Sequence, residues 1–209
     1  MKAIFVAGTD TGVGKTLVTG LLADYIRDKG YSVITQKWVQ AGYRGRSEAQ
    51  SVVYKFKFPS SPHLASRLEH RPIYIGKIRA GFVSLSKRFD YVIVEGTGGL
   101  MVPINGRTLM IDIVKELNLP VILVAANRLG AINHTILSIE ALKRRKMKLL
   151  GIIFNNISDK EDKAILADNP EIVKKITRAK ILGTLPYSKN RSSLQQGFKA
   201  IGDKIIQTQ

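Results

Sequence analysis

The sequence contains no cysteine and no long apolar run. The absence of cysteine excludes disulfide bonds, thiolate nucleophiles and zinc sites with thiolate ligands, and it favours an enzyme of the cytoplasm. A helix that spans a membrane needs about 20 apolar residues in succession, and the longest runs fall far short, so we expect no membrane partner. A strand-like segment, Lys2–Ala7, follows Met1 directly, which leaves no room for a signal peptide.

Acidic residues are also scarce. The chain of 209 residues has 16 Asp and Glu against 33 Lys and Arg, which gives it a net charge of +17. Such a charge fits either a polyanionic partner such as nucleic acid or a Lys-rich surface without a partner. The basic residues are spread along the chain, and the densest run, Lys143–Lys148, lies where a helix should end and cations complement the helix dipole. We therefore predict no nucleic-acid partner.

Apolar residues make up 44% of the chain and occur in alternating strand-like and helix-like blocks. Alternating βα units with apolar strands predict an α/β fold, a mostly parallel sheet with helices on both faces. No linker or repeat interrupts the pattern, so we predict one domain over residues 1–209. The predicted strands are Lys2–Ala7, Ser32–Gln36, Tyr91–Glu95, Val121–Ala126, Leu149–Asn155 and Ile181–Leu185. The predicted helices are Thr16–Lys29, Glu48–Phe58, Ile73–Arg88, Met110–Leu117, Asn133–Lys146 and Ser192–Ile206.

The first predicted strand leads into Thr9-Asp-Thr-Gly-Val-Gly-Lys-Thr16, a glycine-rich segment that opens the first helix. This is the context of a phosphate-binding loop (P-loop), in which backbone N–H groups and the helix dipole hold a polyphosphate. The lysine of such a loop reaches the β- and γ-phosphates and the following hydroxyl binds Mg²⁺. The strict pattern has glycine where this chain has Thr9. The motif predicts a polyphosphate ligand with Mg²⁺. The nucleotide-binding residues are then Gly12, Val13, Gly14, Lys15 and Thr16.

Charged residues near other strand ends should lie at the same edge, because ligands bind beyond the carboxyl ends of parallel strands. Lys37 follows the second predicted strand and could stabilise a transferred phosphoryl group, or be a solvated loop lysine. Glu95 ends the next strand after four apolar residues, which is typical of a magnesium ligand in nucleotide hydrolases or of an ordinary turn. Glu48 is a weaker candidate for a metal ligand and also fits a plain surface position.

Polar side chains without charge follow two later elements. Asn155 and Asn156 end a predicted strand, where an amide could recognise an adenine edge or simply form a turn. Asn133 is expected at a helix start, where an N-cap is the common role. The histidines lack the spacing of metal ligands, and we interpret them as structural or surface residues. They are His63, His70 and His134.

Six short segments carry more information together than any of them alone. They are Gly8–Thr16, Lys37–Gly42, Ser61–Ser66, Val94–Pro103, Leu129–His134 and Leu182–Pro186. In this order, and over about residues 3 to 188, they resemble the dethiobiotin synthetase family. The first segment is shared with many nucleotide hydrolases, whereas the Glu-Gly-Thr-Gly-Gly and Gly-Ala-Ile-Asn-His sequences are much more specific.

The resemblance implies a homodimeric P-loop enzyme of biotin synthesis that closes a ureido ring with ATP. Its substrates would be 7,8-diaminononanoate and CO₂. One amine takes up CO₂ as a carbamate, whose oxygen attacks the γ-phosphate and gives a carbamic–phosphoric anhydride. The second amine then displaces phosphate and closes the ring. The protein needs mainly to align the carbamate with the γ-phosphate and to neutralise charge.

The resemblance also implies roles for individual residues. The catalytic residues are Lys37, Lys15 and Thr11. The magnesium ligands are Thr16, Glu95 and Glu48, the last of which stands where the family has Asp. The residues around the adenine are Asn155, Pro186, Tyr187 and Ser188. The helix start at Gly130–Asn133 would lie against the nucleotide site of the partner subunit and bind the substrate carboxylate there.

The chain departs from the family pattern on the substrate side. Trp38 replaces the usual proline, and Ala41 occupies a position that usually carries a Ser or Thr hydroxyl in contact with the diamine. The segment between Gly42 and Pro59 is short for the family. These differences concern the contacts with the substrate and leave the ATP site intact.

Two other functions are compatible with the P-loop. A related amidoligase would act on another carboxylate or carbamate, but such relatives often carry a glutaminase domain for which 209 residues leave no room. A nucleotide-switch ATPase would bind a polyanionic partner. Members of that group carry a second lysine two residues before Gly12, and this chain has Asp10 there.

Overall fold

The computed structural model describes residues 2–43, 45 and 49–208. Within these residues, seven strands form one parallel sheet in the order β3-β2-β4-β1-β5-β6-β7. The strands are β1 (Lys2–Gly8), β2 (Val33–Gln40), β3 (Ser51–Lys55), β4 (Tyr91–Gly99), β5 (Val121–Ala126), β6 (Leu149–Asn155) and β7 (Ile181–Leu185). The helices are α1 (Lys15–Asp28), α2 (Pro62–Leu68), α3 (Ile75–Ser86), α4 (Met110–Glu116), α5 (Ala131–Arg144), α6 (Lys163–Thr177) and α7 (Arg191–Gln207).

The sheet separates two hydrophobic cores. Successive side chains of a strand point to opposite faces, so Ile4 and Val6 of β1 pack with α1 and α7, while Phe5 and Ala7 pack on the other side with α3 to α6. Both faces of the central strands are therefore apolar, as a sheet covered by helices on both sides requires. The predicted fold class is confirmed. Among the described helices, none combines the length and the apolar character that crossing a membrane would need.

The prediction of a helix over Glu48–Phe58 is wrong. Residues Ser51–Lys55 form β3, the edge strand, with Ser51 opposite Gln36 of β2. The segment contains two valines and a tyrosine, which favour a strand over a helix. Glu48, the weaker candidate for a metal ligand, lies outside the described residues.

Two helices and the end of one strand also differ from the prediction. Helix α2 was not predicted. It begins at Pro62, a position where proline is tolerated because the first helical N–H has no partner within the helix. Helix α6 was not predicted, and its interior Pro170 is atypical of a helix. Strand β2 continues to Gln40, so Lys37 lies within the strand and not directly after it.

Candidate active site

The P-loop connects β1 to α1 and turns on two glycines. Gly12 and Gly14 have φ values of +75° and +96°, a backbone conformation that side chains with a Cβ rarely adopt. Gly14 is also the N-cap of α1, which begins at Lys15. The Lys15 ammonium folds back over the loop and donates to the Asp10 carbonyl at 2.7 Å. The loop thus has the geometry that the sequence context predicts for phosphate binding.

A single carboxylate oxygen organises the centre of the site. Oε1 of Glu95 accepts hydrogen bonds from the Thr16 hydroxyl and from the Lys37 ammonium, each at 2.7 Å. The Glu95 side chain is only 2% exposed, so its charge depends on these partners. The register places them together, since Lys37 of β2 stands opposite Glu95 of β4. The structure therefore brings together three residues that lie far apart in sequence.

Burial lowers the pKa of Lys15 from its usual 10.5 to about 8, because the ammonium loses water. The negative charge of Glu95 acts in the opposite direction, and the positive charge of Lys37 lowers the pKa further. Lys37 thus contacts the buried Glu95 carboxylate, and Lys15 lies close enough to feel its charge. This surplus of positive charge suits a polyphosphate ligand.

These residues open into a cavity of about 740 Å³ at the carboxyl edge of the sheet. The P-loop, β2 and β4 form one side of it, and the segment from Pro59 to Pro62, which leads into α2, forms the other. Thr11, the third predicted catalytic residue, lines the same cavity. The volume accommodates a small substrate next to the γ-phosphate end of a nucleotide.

The oxygen atoms of Thr16 and Glu95 fit a magnesium ion, which prefers hard oxygen ligands and keeps several waters or phosphate oxygens. The part of the chain that the structure describes contains no group of three or more His, Cys, Asp or Glu side chains suited to a metal. A bound ion would therefore depend on the nucleotide for much of its coordination shell.

The Asn155 side chain contacts the P-loop. Its Nδ2 donates to the Val13 carbonyl at 3.1 Å, and a Cβ added to Gly14 would lie 2.1 Å from the same nitrogen. Only glycine at position 14 allows this close approach. The amide therefore fixes the loop, and its expected contact with adenine stays a prediction.

A buried amide network beside Asn155 was not predicted. Asn127, which is fully buried, donates to the Asn156 side chain and to the Leu166 carbonyl, and accepts from Asn169, each at 2.9 Å. The network joins the ends of β5 and β6 to α6. The signal in the sequence was an asparagine directly after an apolar strand, the same signal that drew attention to Asn155.

The start of α5 differs slightly from the expectation. Gly130 is the N-cap and the helix begins at Ala131, so Asn133 lies in the first turn and is not the cap. A cavity of about 210 Å³ separates this helix start from the P-loop residues Asp10 and Val13. Both the nucleotide loop and the α5 N-terminus therefore face the same side of the molecule.

Comparisons with known proteins identify the relatives of this chain. Residues 2–193 match a family model described as an AAA domain. The chain is 38% identical over 181 residues to the ATP-dependent dethiobiotin synthetase of Haemophilus ducreyi, which covers 78% of this chain and 86% of that protein. It is 39% identical over 208 residues to the ATP-dependent dethiobiotin synthetase of Halalkalibacterium halodurans, with 90% of this chain and 86% of that protein covered.

Solved structures with a similar fold include the cell division ATPase MinD of Pyrococcus furiosus, with a TM-score of 0.64, 16% identity and full coverage of both chains. A ParA family ATPase from Chlorobium tepidum has a TM-score of 0.61 and 13% identity, with 99% of this chain and 98% of that chain covered. At these identities the likeness concerns the fold alone. The sequence relatives are far more similar, and they place the chain in a family: it belongs to the dethiobiotin synthetases.

Proposed function

We propose that this chain forms dethiobiotin from 7,8-diaminononanoate, CO₂ and ATP in a magnesium-dependent reaction of biotin biosynthesis. The main observation behind the proposal is that the side chains of four residues lie together beside the P-loop, namely Lys15, Thr16, Lys37 and Glu95. The chain also belongs to the dethiobiotin synthetase family. The reaction needs cations at one γ-phosphate and hard oxygen ligands beside them, and these four side chains supply both.

The protein's part in the chemistry is alignment and charge neutralisation. The P-loop N–H groups and Lys15 hold the phosphates, while Lys37 faces the position where carbamate and γ-phosphate meet. Magnesium, held by Thr16 and Glu95, would supply further positive charge to the phosphoryl group. The carbamate oxygen attacks phosphorus and ADP leaves. The free amine then attacks the carbonyl carbon of the anhydride and releases phosphate.

We propose that adenine contacts Asn155 and the segment Pro186–Ser188, which follows β7. The donation from Asn155 Nδ2 to the Val13 carbonyl orients this amide, so that its oxygen can accept from the adenine amino group. Tyr187 is 41% exposed and offers a ring face next to the base. Comparison of the KM for ATP with that for GTP, in wild type and Asn155→Ala, tests the assignment.

We further infer that the enzyme works as a homodimer whose sites combine both chains. The carboxylate of a diamino acid with a long apolar chain lies far from the γ-phosphate. The Ala131 N–H donates to the Arg128 carbonyl at 3.1 Å, so the positive end of the α5 dipole and the other N–H groups of Gly130–Asn133 would hold an anion. Leu129 and Leu137 are 74% and 61% exposed around this helix start, and a partner would cover them. An active monomer in sedimentation under assay conditions would contradict the dimer.

One reaction tests the proposed function. The chain is incubated with ATP, Mg²⁺, bicarbonate and 7,8-diaminononanoate, and the cyclic urea is sought by mass spectrometry. We expect product that requires all four components. The folded wild-type protein failing to form the cyclic urea would refute the proposal. The single domain over residues 1–209 and the cytoplasmic location stay predictions.

A further inference from the structure

The pairing of β2 with β4 ends at the two residues that carry the proposed chemistry. Lys37 stands opposite Glu95, and the residues that the structure describes show no later backbone pair between these strands. Beyond this point β4 continues alongside β1 as far as Gly99, whereas β2 continues alongside β3 as far as Gln40. Lys37 therefore occupies the last position at which the backbone of β4 supports β2.

One side chain connects the two strands beyond that position. The Thr97 hydroxyl donates to the backbone carbonyl of Val39. Thr97 follows Glu95 by two residues, and Val39 follows Lys37 by the same number. The hydrogen bond thus joins equivalent positions of β4 and β2. Thr97 lines the active-site cavity, and the Val39 side chain is fully buried. The end of β2 is therefore attached to β4 by a side chain where the backbone pairing has stopped.

We propose that Thr97 is a positioning residue, which fixes the end of β2 so that the Lys37 ammonium is directed at the γ-phosphate. This inference rests on the proposed function. In the structure, the ion pair with Glu95 orients Lys37. Under the proposed function the same carboxylate also binds magnesium, and a divalent cation on the carboxylate weakens its attraction for an ammonium group. The direction of the Lys37 side chain then depends more strongly on the backbone that carries it.

The chain offers a matched control for the lost hydrogen bond. Thr97→Val removes the hydroxyl at nearly constant volume, and Thr97→Ser retains it. The Thr177 hydroxyl also donates to a backbone carbonyl, that of Val173, at 2.7 Å. Thr177 is buried at the end of α6 and is not among the residues that line the active-site cavity. Thr177→Val should therefore lower the melting temperature without changing turnover.

The first measurement is hydrogen exchange of the backbone amides, followed by mass spectrometry with no ligand added. Thr97→Val should speed exchange in a peptide that covers residues 36–42 about 5-fold or more, because one hydrogen bond that fixes this segment is lost. Thr97→Ser and Thr177→Val should exchange there as wild type does. Unchanged exchange of this peptide in Thr97→Val overturns the inference. The measurement does not depend on the reaction that the chain catalyses.

The second measurement is steady-state formation of dethiobiotin. Thr97→Val should lower kcat about 10-fold and leave the KM for ATP within about 2-fold of wild type, because alignment is lost and nucleotide binding is not. Thr97→Ser should keep near-normal turnover. In a Lys37→Ala background, Thr97→Val should have no further effect on kcat, since the group that it positions is already absent.

Two kinetic results would overturn the inference. One is normal turnover of Thr97→Val. The other is a full additional loss of kcat when Thr97→Val is combined with Lys37→Ala, because Thr97 would then act on the substrate independently of Lys37. A wild-type chain that makes no dethiobiotin would refute the proposed function itself, and the exchange measurement would still show whether Thr97 fixes β2.

Discussion

The two sides of the active-site cavity satisfy their polar groups in different ways. On the nucleotide side, Lys37 and Thr16 both donate to Glu95, and Lys15 donates to a loop carbonyl. On the diamine side, the Ala41 side chain has no polar atom, and the Gln40 side-chain oxygen has no hydrogen-bond partner among the described residues. The nucleotide side is therefore preorganised by an ion pair and by hydrogen bonds to it, whereas the described residues of the diamine side offer no such charged network. The predictions below test residues of the nucleotide side and of the diamine side separately.

The largest effect should come from removing a cation on the nucleotide side. Lys37→Ala should lower kcat about 10²–10³-fold, because a preorganised charge at the moving phosphoryl group is lost. Lys15→Ala should do the same. Turnover is measured from dethiobiotin formation at saturating substrates. Lys57→Ala, an exposed lysine after β3, is the control and should be fully active. If Lys37→Ala keeps near-normal turnover, Lys37 has no catalytic role and serves only as the ion-pair partner of Glu95.

Glu95→Gln should raise the magnesium concentration needed for half-maximal activity by about 10-fold, since an amide is a poorer ligand than a carboxylate. The KM for ATP at saturating magnesium should change less. Glu116→Gln serves as the control, because Glu116 pairs with Arg79 at the surface. An unchanged magnesium requirement in Glu95→Gln would remove this residue from the metal site.

Lys15→Met should stabilise the folded protein when nucleotide and magnesium are absent, although it abolishes activity. Burial of the ammonium costs about 1–3 kcal/mol of unfolding free energy, and methionine avoids this cost. The folded-state pKa of about 8 lies below the usual 10.5, so between these pH values the unfolded chain binds more protons. The wild type should therefore recover stability relative to Lys15→Met as the pH rises from 8 to 10.5. Urea unfolding at several pH values measures the difference.

The smallest effect is expected on the diamine side. Ala41→Ser restores a hydroxyl that the family usually has, and one added hydrogen bond should lower the KM for the diamine by about 2- to 10-fold. The KM for ATP should stay constant. If instead the KM for the diamine rises, the serine clashes with a substrate position that already uses the space beside Ala41.

The same division explains how much could be predicted from the sequence. The P-loop is contiguous, and its strand and helix context predict its conformation, so Gly12, Gly14 and Lys15 were found directly. Lys37 and Glu95 were assigned to one edge from strand order, but their shared hydrogen bond depends on the β2–β4 register, which sequence alone does not give. The Gln40 side-chain oxygen has no hydrogen-bond partner among the described residues, and no sequence pattern predicts this because it depends on the surroundings of one atom.

The errors in the fold have a similar origin. Strand β3 was predicted as a helix because its five residues are too few to show a clear period, and only the open edge of β2 stabilises them as a strand. Helix α6 was overlooked because Asn169 and Pro170 in its middle are poor helix formers. In the structure, the Asn169 side chain donates to the buried Asn127 and to the Arg128 carbonyl, and these hydrogen bonds offset its low helix propensity.

That amide network also limits how the chain can be shortened or rearranged. Helix α6, strand β7 and helix α7 follow β6, so an engineer who seeks a minimal ATP-binding unit could end the chain after β6. A chain that ends after β6 would lose α6, and with it the partners of Asn127 at Leu166 and Asn169. The Asn127 amide would then lack these partners while still contacting Asn156. Asn156 follows Asn155, whose side chain donates to the P-loop carbonyl of Val13. We therefore expect such a truncated chain to lose nucleotide affinity, even though every P-loop residue is retained.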